Sequence, residues 1–85
     1  MRKILEQYAD ETEQELVFFD GHDNAILGIG RQFTKTAVIY NKEIIILNLM
    51  TDMSREEAEE FFDFNIAGLY VGEATPIIMD CDFGS

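Results

Sequence analysis

Asp20, His22 and Asp23 cluster in the run Asp20-Gly21-His22-Asp23, which brings two carboxylates next to the only imidazole of the chain. Carboxylate oxygens and an imidazole nitrogen are acceptable donors to a divalent cation. A calcium loop starting at Asp20 fails on two positions. Ala25 stands where glycine makes the sharp turn, and Arg31 where a bidentate glutamate is needed. Zinc takes three or four ligands, and the sequence offers no second cluster of His or Cys. An exposed polar turn explains the same residues more simply, so no metal or other cofactor is expected. The three side chains are the only metal candidates.

Gly28-Ile29-Gly30 has the look of a phosphate-binding turn. The third glycine is replaced by Phe33, and no lysine-serine pair follows. Close packing is the simpler reason for the two glycines. Serine occurs only at positions 54 and 85, which leaves no nucleophile–histidine–carboxylate set. Glu56 and Glu60 fall on a face expected to be exposed, where nothing raises a carboxyl pKa. No catalytic residue is assigned.

The elements that must position these groups follow from periodicity. Ile4, Leu5 and Tyr8 predict a short N-terminal helix over residues 2–9, followed by an acidic connector to residue 15. Leu16-Val17-Phe18-Phe19 reads as a strand ending at Asp20-Gly21. Asp23 or Asn24 could cap a short helix through Ala25 to Phe33, weakened by Gly28 and Gly30. Residues 36–40 form a strand. Residues 41–53 fit either a strand after an Asn41-Lys42 turn or a helix capped by Asn41 and buried nearly all round. Ser54 and Glu57 have capping-box spacing, with Met53 and Ala58 at the staple positions. Ala58, Phe61, Phe62, Asn65, Ile66 and Leu69 then recur at helical spacing. Glu56, Glu59, Glu60 and Asp63 fill the opposite face. The helix ends at Gly68 or Gly72, and Pro76 opens a last strand.

Asn65 is the polar exception on the apolar side. A buried amide without partners costs about 1–3 kcal/mol. Its expected role is structural, bridging backbone groups of the Gly72–Pro76 loop.

Seventeen acidic residues against six basic ones give a formal charge of −11. Such a chain repels nucleic-acid phosphate and anionic membrane, so neither is an expected partner. A protein with a basic surface is a better match, and a homodimer is compatible with the composition. Solubility alone would also explain the acidity. Cys81 is the only cysteine, which excludes an intramolecular disulfide and fits a reducing, cytoplasmic location. The first residues turn acidic too soon for a signal peptide, and no apolar run approaches the ~20 residues that span a bilayer. Residues 81–85 are expected to fray.

The segment from Val38 to Met79 resembles a group of small, mostly uncharacterised proteins encoded by bacteriophages and other viruses. The matching positions are Tyr40, Leu49-Met50, Met53-Ser54, Glu56-Glu57-Ala58, Glu60-Phe61-Phe62-Asp63-Phe64-Asn65, Gly68, Val71-Gly72-Glu73 and Thr75-Pro76. Asp20, Asp23, Ala25 and Gly28-Ile29-Gly30 extend the likeness towards the N-terminus. The chain departs at Asn41, where the pattern has aspartate, and in its N-terminal segment. The resemblance implies a viral origin and, if so, a host-cell cytoplasm. It favours a helix over residues 41–52 and supplies no activity.

The expected fold is a single small α+β domain over residues 1–85. A short sheet of about three strands packs on two to three helices in the order α-β-α-β-α-α-β. The expected function is non-catalytic: binding, and through binding inhibiting, a host protein such as a defence factor, nuclease, polymerase or metabolic enzyme. The exposed stripe Glu56, Glu59, Glu60 and Asp63 is the expected contact. One alternative is a small-molecule or metal-binding protein using the Asp20–Asp23 turn and the Gly28–Gly30 loop. Another is a phage structural or assembly component.

Overall fold

The computed structural model describes residues 1–80; the expected frayed tail, with Cys81, lies outside the described residues. Among the described residues, three α-helices and a three-stranded mixed sheet form an α+β fold. Helix α1 spans Arg2–Thr12 and ends at Glu13 in the left-handed conformation, with φ 55°. Its apolar stripe is short, and Leu5 is its one buried residue.

Leu16 to Phe19 is not a strand. The segment joins no ladder. Its apolar side chains satisfy the β-prone pattern another way: Leu16, Phe18 and Phe19 pack against the core, and Phe19 stacks on Tyr40 with ring centroids 4.8 Å apart. The Phe19 amide donates to the Tyr40 hydroxyl at 2.8 Å, so a side chain replaces the missing strand partner.

The helix expected from Ala25 to Phe33 is also replaced. A 3₁₀ turn at Asp23–Ala25 leads into strand β1, Ile26–Gln32, which pairs antiparallel with β2, Lys35–Asn41. Two glycines at alternate positions disfavour a helix, but in a strand they share one face. The register pairs Ile26 with Tyr40 and Ile29 with Val38, and a bulge lies between Ile26 and Gly28. A Cβ at Gly30 would sit 2.9 Å from Cδ1 of Ile39, the free end of a side chain that can turn aside. Strand β3, Ile77–Met79, pairs parallel with the other edge of β2 and begins directly after the buried Pro76.

Residues 42–49 are helical. Asn41 accepts from the Ile44 amide at 3.3 Å and caps α2, Lys42–Leu49. The helix is not buried all round: Ile45 and Ile46 are, whereas Leu47 and Met50 reach the surface. Helix α3, Arg55–Phe62, starts with the anticipated capping box, in which the Ser54 hydroxyl accepts from the Glu57 amide at 3.2 Å. Val38, Tyr40, Ile45 and Ile46 are the largest fully buried side chains, lying between the sheet and α2–α3. Fully burying each aliphatic one contributes roughly 1.5–3 kcal/mol.

After Phe62 the backbone widens into a π-helical turn, Asp63–Ala67. The extra residue per turn breaks the three-and-four spacing on which Asn65 was placed inside. Ile66 remains buried, while Asn65 is exposed and its amide donates back to the Phe61 carbonyl at 3.1 Å. Asn65 therefore does not hold the Gly72–Pro76 loop. Thr75 does: its hydroxyl accepts from the Val71 amide at 2.9 Å and donates to the Gly72 carbonyl at 2.5 Å.

Candidate docking surface

Helix α3 is tied to α2 by one cation. Arg55 donates to both carboxylate oxygens of Glu43, at 2.8 and 2.9 Å, and to Glu59 at 3.1 Å. These bonds hold the Glu43 carboxyl below its ordinary range and push the guanidinium up. The acidic stripe is thereby divided. Glu59 is engaged by Arg55, whereas Glu56, Glu60 and Asp63 are exposed and face no cation within ion-pair distance among the described residues.

Two aromatic rings stand among these carboxylates. Phe61 is 42% and Phe64 77% exposed. Phe64 lies within the π turn. Phe61 is a shared wall between two open hollows. One, about 280 Å³, is lined by Met53, Glu57, Glu60, Phe61 and Phe64. The other, about 370 Å³, lies between residues 18–22 and the two helices, with Phe18, Phe19, Leu49, Phe61 and Ile66 as apolar walls and Asp20, His22 and Asn65 at its polar side. A hollow of similar size near the β1–β2 hairpin, lined by Gln14, Glu15, Lys35, Thr36 and Glu73 among others, is polar.

The metal candidates are brought close but turned to other partners. The Arg2 guanidinium lies 3.1 Å from Asp23 and 3.6 Å from Asp20, and stacks over Phe18 at 4.7 Å. Nδ1 of His22 lies 3.1 Å from the Asn48 amide nitrogen, and Asn48 exchanges hydrogen bonds with Asn24 at 2.7 and 3.0 Å. An amide N–H can donate only to an unprotonated Nδ1, which assigns the neutral ring's proton to Nε2. Burial pushes the His22 pKa down against the opposing pull of Asp23. Among the described residues no group of three or more His, Cys, Asp or Glu side chains is poised around a common point. Gly28 and Gly30 sit inside β1 and form no loop.

The sequence pointed to the carboxylates of this surface but not to its apolar centre. Phe61 and Phe64 belong to a run of aromatic residues whose pattern suits a core. Phe62 points inward, whereas Phe61 and Phe64 are exposed. The Phe18, Phe19 and Leu49 walls come from segments distant in sequence. Among the described residues no helix is long and apolar enough to cross a membrane. Compared with known family models, curated proteins and solved structures, the chain matches none.

Proposed function

We propose that this chain is a non-catalytic, phage-type accessory protein that binds a host protein through the α3 face and inhibits it by covering its basic surface. The observation that carries this is the exposed Phe61–Phe64 pair set among Glu56, Glu60 and Asp63. Apolar centres with charged rims suit protein contacts, where aromatics supply most of the affinity and charges steer the encounter. Like charges spaced along one helix face weaken the helix slightly, so local stability does not account for them. A basic partner would relieve that repulsion.

The test has two stages. Affinity capture from a bacterial host lysate identifies a retained protein, and association kinetics are then measured over a salt series. The variant carrying Glu56→Gln, Glu59→Gln, Glu60→Gln and Asp63→Gln should associate at least ~10-fold more slowly at low salt, with the difference vanishing at high salt. Equal on-rates at every salt concentration would reduce the stripe to a solubilising surface.

A further inference from the structure

The complement of the α3 surface is present in the same chain. Residues 24–42 contain Arg31, Lys35 and Lys42 and no acidic residue, in a protein of net charge −11. This stretch is the β1–β2 hairpin and its flanks. Lys42 is paired with Asp80 at 3.8 Å, but Arg31 and Lys35 have no carboxylate within ion-pair distance among the described residues. Arg31 instead leans on Tyr8, bonding its hydroxyl and facing its ring. Between the two cations, at the tip, stands Phe33.

Phe33 breaks two local rules at once. It is 98% exposed, so its ring contributes almost no burial to the fold. Its φ is +57°, in the left-handed region that two-residue hairpin turns require and that glycine, asparagine or aspartate fill at least cost. A large aromatic residue that gains nothing from folding and strains its backbone is accounted for by a contact outside the protomer. Its surroundings define that contact. An aromatic knob flanked by two cations fits an apolar hollow flanked by carboxylates.

We infer that the hairpin tip, with Phe33 as its anchor and Arg31 and Lys35 beside it, docks into the Phe61 hollows of α3 on a second copy of the chain, so that the protein self-associates head to tail. The two patches are different, so the contact is heterologous and each pair keeps one free hairpin and one free α3 surface. Growth then proceeds by addition of copies, and self-association competes with any basic partner for α3. The inference rests on the reading of α3 as a docking surface.

Analytical ultracentrifugation of the native protein from about 10 μM to about 1 mM tests it, because weaker association than that range reports would be too slight to matter. The expected result is mass rising with concentration beyond a dimer, and falling as salt is raised from about 0.05 to about 0.5 M. Phe33→Ser should abolish the association with the fold intact by circular dichroism, since the ring is exposed. Glu60→Lys should abolish it from the other side, avoiding the packing loss that Phe61→Ser would add. Each variant retains one sound surface. Mixed together they should therefore form a 1:1 dimer that grows no further, although each alone is monomeric. The inference is overturned by a native protein that stays monomeric throughout, by Phe33→Ser associating as the parent does, or by failure of the two variants to pair. If self-association fails while the Gln variant still slows capture of a host protein, the docking role of α3 stands without the hairpin. If Phe33→Ser abolishes association but Glu60→Lys does not, the hairpin docks elsewhere and the inference falls.

Discussion

The segment Leu16–Phe19 forms a wall of the larger hollow without belonging to the sheet, so its attachment can be tested by a single atom. Tyr40 is fully buried, and its hydroxyl is the acceptor for the Phe19 amide at 2.8 Å. Tyr40→Phe removes that oxygen and keeps the ring, including its 4.8 Å stack on Phe19. The amide is left without its acceptor at a partly buried site. A fully buried unpaired group costs about 1–3 kcal/mol, and partial access of water to Phe19 places the loss near the lower end, about 1–1.5 kcal/mol. For a domain of this size 1 kcal/mol moves Tm by roughly 4–8 °C, so a fall of about 5–10 °C is expected. Thermal melts give the stability, and amide exchange at Phe19 gives its location: protection there should drop more than at Val38. The pH dependence adds a control. Burial pushes the Tyr40 hydroxyl above its ordinary pKa of 10.0. The unfolded chain then ionises first, and stability falls as pH rises past that value; Tyr40→Phe should lack this component. An unchanged Tm with unchanged exchange at Phe19 would refute the idea that the hydroxyl anchors the segment.

Ser54→Ala should destabilise by about 0.5–2 kcal/mol in chemical denaturation, because it removes the acceptor of the Glu57 amide. Asn65→Ala should change stability by less than about 0.5 kcal/mol, since the exposed amide only returns to its own helix; a larger loss would restore a buried role for it. Gly30→Ala should cost less than about 1 kcal/mol in the same assay, as the added methyl meets only the far ends of the Ile39 and Ile77 side chains, which can turn aside; a larger loss would show that this sheet face is tightly packed. His22 has a folded pKa below its ordinary 6.5, so the unfolded chain takes up the proton first and stability declines as pH falls through that region. His22→Gln should flatten this slope in melts between about pH 7.5 and pH 5, and a slope unaltered by the substitution would assign it to other groups.

Several elements were legible because their determinants are local. The capping box at Ser54 and Glu57, the Asn41 cap and the amphipathic start of α3 depend on residues a few positions apart, and the structure contains all three. The misread stretches depended on partners far along the chain. Phe33-Thr34 is not a favoured turn pair, so the hairpin joining β1 to β2 carried no local signature, and residues 25–33 looked helical. Leu16–Phe19 has strand composition, but both edges of β2 are taken by β1 and β3.

The sequence by itself determined the acidic charge, the starts of α1 and α3 and the α+β class. Charge is a sum over residues, and capping and periodicity act within a few positions. Only the tertiary structure decided which aromatics face outward, that Asn65 is exposed and that Arg2 faces Asp20 and Asp23. Those outcomes hinge on one π turn, on the register of β1 with β2 and on contacts between segments some twenty residues apart. Such contacts follow from how whole elements pack together, and no short stretch of the chain encodes them.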